Sequence, residues 1–228
     1  MDAIRTPDSL PTATTVSRIL LDIGAVHFRP REPYTLTSGW ASPVYIDCRK
    51  IIAFPRARQK IISLAVEHVE HRIGFDKLDT VAGGETAGIP YAAWLADRLN
   101  LPMQYVRKKP KGFGRMARIE GDLKEGQQVL LVEDLATDGG SKIHFAQALR
   151  EAGAQCQHAL VIFFYGIFPR ALDHLSREDL ELHYLCTWHD VLQTALKTDS
   201  ITHNDAVEVQ NFLDDPKGWS AANKGRAA

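Results

Sequence analysis

Val129-Leu-Leu-Val-Glu-Asp-Leu-Ala-Thr-Asp-Gly-Gly-Ser141 is the stretch on which the reading of this chain turns. Its four leading apolar residues predict a buried parallel strand. They run into two adjacent acids, Glu133 and Asp134. A loop of Thr137, Asp138, Gly139, Gly140 and Ser141 follows, and 142–151 carries helical spacing. The first N–H groups of a helix lack intrahelical partners and lie at the positive end of its dipole. Gly139 and Gly140 remove the Cβ atoms that would hold an anion away from those donors. Thr137 and Ser141 add hydroxyls of the right reach. The two acids repel a phosphate at contact distance, so they must face sugar hydroxyls or a bound divalent ion. The combination predicts a phosphorylated sugar as ligand. A flavodoxin-like strand end with a capped helix would carry the same pattern. A nucleotide P-loop fits less well, because Gly140-Ser141-Lys142 stands where that motif needs Gly-Lys-Ser/Thr.

Outward from that stretch, strands alternate with helices. Segments 80–82, 103–106, 129–132 and 158–164 predict strands, and 89–99 and 142–151 predict helices. The fold class is therefore α/β, a central parallel sheet flanked by helices on both faces. Residues 56–69, just after Pro55, predict a long amphipathic helix. Another covers 16–23 and stops at Gly24, and short extended pieces fill 27–46. Beyond Pro169 the pattern gives a short strand over 182–185 and two helices up to 213, then a polar tail over 214–228, mobile at its very end. His189-Asp190 suits a helix start, where an acid is favoured.

The chain has 228 residues and a formal net charge of -1, so neither wholesale nucleic-acid binding nor attachment to an anionic membrane is expected. No apolar run approaches the roughly 20 residues of a membrane span. The first fifteen residues are polar, contain Pro7 and Pro11, and lack a signal-peptide core. Cys48, Cys156 and Cys186 are few and scattered, which fits burial in a protein of a reducing cytosol.

Three further constellations bear on chemistry. Arg107-Lys-Lys-Pro-Lys-Gly-Phe-Gly-Arg-Met-Ala-Arg118 interrupts the pattern with six cations among twelve residues. At a strand end it reads as a mobile lid, over about 107–125, that brings positive charge onto a polyanion and excludes water; a solvated basic loop is the alternative. Gly83-Gly-Glu-Thr-Ala-Gly88 forms a second glycine-containing strand-to-helix turn, which suggests a second anionic group. Tyr34 to Asp47 offers hydroxyls and turn backbone, suited either to a hairpin or to a planar polar base. His68 and His71, three apart on a helix, could share a metal, but no third ligand is in register.

Taken together these segments resemble the type I phosphoribosyltransferases, whose signature is an apolar strand, two acids and Thr-x-Gly-Gly-Ser. The Ser-Gly-x-x-Ser-Pro pattern at 38–43, Ala-Gly-Ile-Pro at 87–90, Arg107-Lys108 with Lys111, and Ile-Glu-Gly at 119–121 narrow the likeness to the orotate phosphoribosyltransferases. It spans roughly residues 17 to 165. The resemblance implies transfer of a phosphoribosyl group from 5-phosphoribosyl 1-diphosphate to orotate in pyrimidine biosynthesis, in the cytoplasm, by a homodimer with shared active sites. Its fold implies a single domain with a small hood built from about 15–50 and part of 169–213. Glu133 and Asp134 are implied to bind the ribose hydroxyls. Ala136, Thr137, Asp138, Gly139, Gly140 and Ser141 are implied to hold the 5-phosphate, and Leu135 to belong to the same phosphoribosyl diphosphate site. Gly83, Gly84, Glu85 and Thr86 are implied to hold the diphosphate. Catalytic charge would come from Arg107, Lys108 and Lys111, and the orotate contacts from Thr137, Ser38, Gly39 and Tyr45. Mg2+ is implied as cofactor, held mainly by substrate oxygens and water rather than by protein ligands.

The chain departs from the family pattern at four positions. Thr37 and Ala87 stand where many bacterial relatives have Lys, Phe113 where the loop usually has His, and Tyr165 where an Arg commonly meets the orotate carboxylate. Arg49 or Lys50 could supply that charge instead. Another base as acceptor, or a nucleotide-sensing or RNA-binding regulator on the same fold, are the competing readings; a regulator should show a basic patch with interleaved aromatics.

Overall fold

The computed structural model describes residues 9–36, 38–112, 114 and 117–226. Thr37 and Phe113, two of the departures above, lie outside the described residues. In chain order the first elements are α1 (Ser9–Asp22), β1 (Val26–Phe28), β2 (Tyr34–Thr35), β3 (Ala41–Ser42), β4 (Val44–Ile46) and α2 (Pro55–Arg72). Then come β5 (Thr80–Gly84), α3 (Gly88–Leu99), β6 (Met103–Val106), β7 (Ile119–Glu120), β8 (Gln128–Ala136), α4 (Gly140–Glu151) and β9 (Gln155–Phe164). The chain ends with α5 (Ala171–Arg177), β10 (Glu181–Thr187), α6 (Trp188–Lys197), α7 (His203–Asp214) and α8 (Pro216–Ala222). These elements group into two compact units, 55–185 and 1–54 with 186–228.

The unit over 55–185 holds a six-stranded sheet in the order β10-β9-β8-β5-β6-β7. β6, β5, β8 and β9 run parallel, while β7 is antiparallel to β6. β8 is buried along nearly its whole length, as a strand covered on both faces should be. Odd-numbered Val129, Leu131, Ala159 and Val161 share one core cluster with Phe145, Ala146 and Leu149 of α4 and Leu175 of α5. Chain progression runs from β5 to β6 on one side of the sheet and then returns to place β8 on the other side of β5. Such a reversal opens a crevice at the C-terminal strand ends, where α/β folds bind ligands.

Several sequence expectations need correction here. β8 does not stop at Val132 but continues through Ala136, so both acids lie within the strand. The irregular segment is shorter than 107–125, because β7 pairs with β6 and Ile119 and Leu123 enter the core. Two apolar residues in a polar run are too few to show as a period. Three helices, not two, occupy 169–213, and α5 was too short to register.

In the other unit, β1 pairs with β4 and β2 with β3, both antiparallel. α6 opens with a reciprocal cap in which Asp190 Oδ2 accepts from the backbone N–H and hydroxyl of Thr187, both at 2.8 Å. Trp188 beside it is fully buried. The expected polar tail instead forms α8, with Pro216 at its first turn and Trp219 packed edge-on against Phe212. Ser220 Oγ accepts from Ala41 N–H at 3.0 Å, and Arg226 N–H donates to Gly39 carbonyl at 2.8 Å. The chain end thereby completes the backbone hydrogen bonding of the 39–41 segment.

Candidate functional site

Three connections converge at the C-terminal edge of the parallel strands. In register Gly84 pairs with Val106, and Gly83 with Val132, so Gly84 ends β5 directly between Val106 and Glu133. The 107–118 loop, the 85–88 turn and the acid pair are thus neighbours by strand register alone.

Side chains alternate along a strand, so two adjacent acids cannot share a face. Glu133 continues the odd-numbered series that faces α4, and there Lys142 Nζ meets its Oε2 at 3.3 Å, with both side chains under one-tenth exposed. Lys142 Nζ also donates to Ser141 Oγ at 3.1 Å, joining the acid to the glycine loop. Glu133 Oε1 is buried and has no hydrogen-bond partner. It lies against Gly84 and Gly88, where a Cβ on either residue would collide with it. Burial raises the Glu133 carboxyl to about 7, with Lys142 opposing the shift and Asp134 adding to it. Asp134 leaves the opposite side of the strand, is equally buried, and accepts from Leu135 N–H at 2.9 Å.

The glycine loop has the geometry its sequence suggested. Gly139 takes φ +88°, and a Cβ there would press into Leu175 at 2.7 Å. Asp138 Oδ1 accepts from Gly140 N–H at 3.1 Å, and Ser141 is exposed at the first turn of α4. Thr137 is half-buried, with its hydroxyl 3.4 Å from Asp138 Oδ1. Ala136 carbonyl accepts from Tyr165 N–H at 2.9 Å. The Tyr165 ring is buried, stacked with Phe168 and edge-on to Phe163.

At the second turn, Glu85 N–H donates to Val106 carbonyl at 2.9 Å and Glu85 Oε2 accepts from Lys108 N–H at 2.7 Å, tying the turn to the basic loop. The peptide between Glu85 and Thr86 is cis. Arg107 pairs with Glu120 at 3.3 Å and is half-buried, whereas Lys108 and Lys111 are exposed. Arg107 N–H donates to Arg118 carbonyl and Lys111 N–H to Ala117 carbonyl, so the described residues on the two sides of the loop bond to each other.

Ser38, Gly39 and Tyr45 belong to the other unit. Gly39 turns at φ +85°, Ser38 Oγ lies 3.5 Å from Trp40 N–H, and Tyr45 is exposed on β4 beside Tyr34. Lys50 donates to Gly24 carbonyl at 2.9 Å, closing the end of α1. The residue that sequence reasoning missed is Lys142. Its i, i+9 relation to Glu133 has no sequence period, and the pairing exists only because α4 folds back over β8.

The chain matches the model of the phosphoribosyl transferase domain over residues 49–193. It is 54% identical over 222 residues to an orotate phosphoribosyltransferase of Ruegeria sp. strain TM1040, covering 96% of this chain and 98% of that one. It is 53% identical over 222 residues to the enzyme of that name from Cereibacter sphaeroides, covering 96% of each chain. The crystal structure of orotate phosphoribosyltransferase from Aeropyrum pernix superposes with a TM-score of 0.69 at 30% identity, covering 82% of this chain and 99% of that chain. A strand order reversing between β5 and β8, a glycine loop at the N-terminus of α4 and likeness over almost the whole length agree, and the chain belongs to the phosphoribosyl transferase family, among the orotate phosphoribosyltransferases.

Proposed function

We propose that the chain transfers the phosphoribosyl group of 5-phosphoribosyl 1-diphosphate to orotate, giving orotidine 5-phosphate and diphosphate. The observation that carries the site assignment is the buried, unpartnered Glu133 Oε1 against Gly84 and Gly88 of the second turn, while Oε2 of the same carboxylate is joined through Lys142 to Ser141 of the glycine loop. A buried carboxylate oxygen without a donor is costly unless a ligand supplies one, and a ribose hydroxyl does so. Asp134 supplies the second acceptor for the sugar. The N-terminus of α4, with Thr137 and Ser141, takes the 5-phosphate, and the Gly83–Thr86 turn takes the diphosphate. Lys108 and Lys111 neutralise the departing diphosphate as the C1–O bond breaks through an oxocarbenium-like state.

The donor set also fits the family's Mg2+. Glu133 is committed to Lys142 and is raised toward protonation, which makes it a poor metal ligand. Mg2+ would then be held mainly by substrate oxygens and water, and would supply charge neutralisation to the leaving group. No helix among the described residues is long and apolar enough to cross a membrane. The three free cysteines are buried, which fits a cytoplasmic protein. A homodimer in which exposed Lys108 or Lys111 reaches the neighbouring site completes the reading.

Diphosphate release is to be measured with orotate and then with uracil, adenine and hypoxanthine, each with Mg2+. Release with orotate alone is the expected result. Turnover with a purine and none with orotate would move the assignment to another base, and no turnover with any base would overturn the enzymatic reading.

A further inference from the structure

Far from the acid pair in sequence, three histidines line up across β9, β10 and α2. His183 Nδ1 lies 3.1 Å from His68 Nε2, and His183 Nε2 lies 3.1 Å from His158 Nδ1. Glu181, two residues before His183 and therefore on the same face of β10, brings Oε2 to 3.5 Å from His158 Nδ1 and Oε1 to 3.8 Å from His183 Nε2. One ligand atom from each of His158, Glu181 and His183 falls within 4.8 Å of the others.

From these distances we infer a binding site for a divalent transition-metal ion of the zinc class, built by His158, Glu181 and His183. Bond lengths of about 2.0–2.2 Å in a tetrahedral site set ligand-to-ligand edges of roughly 3.3–3.6 Å. The two imidazole nitrogens, His158 Nδ1 and His183 Nε2, lie 3.1 Å apart, close to that edge, and the Glu181 carboxylate brings one oxygen to 3.5 Å from the first and the other to 3.8 Å from the second. His183 is nearly buried and held in place, whereas the Glu181 side chain is two-thirds exposed and free to turn onto the ion. The exposed side of Glu181 gives the ion a path in and leaves the fourth position to water. His68 is the positioning residue: bonded to the far nitrogen of His183, it fixes that ring's tautomer and orientation. His71 takes no part, since its Nδ1 bonds to Glu67 carbonyl at 2.8 Å on its own helix.

The site ties two adjacent strands together and, through His68, ties them to α2, so the ion acts as a staple for this side of the sheet. This inference does not depend on the transferase reading. Its oxygen-poor, imidazole-rich donor set separates it from Mg2+ chemistry.

The test is titration of the metal-free full chain with Zn2+, and separately with Co2+, in excess Mg2+ and without substrates. Calorimetry, the Co2+ visible spectrum and thermal melting are the readouts. Expected are one Zn2+ per chain, an intense tetrahedral Co2+ spectrum and a raised melting temperature. Glu181→Ala and His158→Gln, both at the solvent side, should weaken Zn2+ binding at least about 100-fold, His68→Gln by about 10–100-fold, and His71→Gln not at all. Zn2+ affinity unchanged in Glu181→Ala and His158→Gln, a weak octahedral Co2+ spectrum, or no saturable binding would each overturn the site.

Discussion

Lys142 and Glu133 form an ion pair 3.3 Å long in which each side chain is more than nine-tenths buried, at the junction of the acid pair and the glycine loop. The lysine holds one carboxylate oxygen and leaves the other unpartnered against Gly84 and Gly88. It also contacts Ser141, so the sugar acceptor and the phosphate loop share one cation.

Removing one partner of such a pair leaves a charge uncompensated. Lys142→Met is expected to destabilise the fold by about 3 kcal/mol or more. The double change Glu133→Gln with Lys142→Met should recover much of that loss. Urea denaturation of the two singles and the double checks this, and additive losses would show that the pair is not coupled.

The same pair sets a pH dependence. The folded Glu133 carboxyl, at about 7, lies above its ordinary 4.5 because burial penalises the charge. Between those values the folded state binds more protons than the unfolded chain, so this group's contribution declines as pH rises from 4.5 to 7 and levels off above. The full excursion is about 3 kcal/mol. The difference in unfolding free energy between Glu133→Gln and the parent chain should therefore grow across that window; a flat difference contradicts the shift.

Gly84 has no room for a methyl group. A Cβ there would sit 2.6 Å from the Phe145 ring and closer still to Glu133 Oε1. Gly84→Ala is expected to cost about 1–3 kcal/mol through overpacking. It should also weaken diphosphate binding by displacing the turn. Inhibition by diphosphate, measured beside thermal melting, separates the two effects.

Lys108 offers the opposite case. Its backbone N–H is tied to Glu85 while its side chain is exposed, so Lys108→Ala should change stability by no more than about 0.5 kcal/mol. If the ammonium meets the leaving diphosphate, turnover should fall by about 100-fold or more. A normal rate at saturating substrate would remove Lys108 from the chemistry.

Much of this architecture was legible in the chain itself, because it rests on local rules. Four apolar residues in a row announce a buried strand, and Gly139-Gly140 before a helical period announce a strand-to-helix turn; both elements are present, although the strand runs on through the two acids to Ala136. Lys142 was invisible for the opposite reason. So were the coupling of Glu85 to the basic loop and the gathering of His68, His158, Glu181 and His183. Each joins residues with no periodic relation, through the folding of one element over another. Even the acid pair changed meaning, since strand alternation divides Glu133 and Asp134 between two faces once β8 is seen to run through Ala136. By itself the sequence determined the α/β class, the two glycine turns and the family, all carried by short contiguous segments. Only the tertiary structure decided which charges meet. Buried ion pairs and ligand clusters are set by the register of strands and the packing of helices across them, and those relations are nowhere written along the chain.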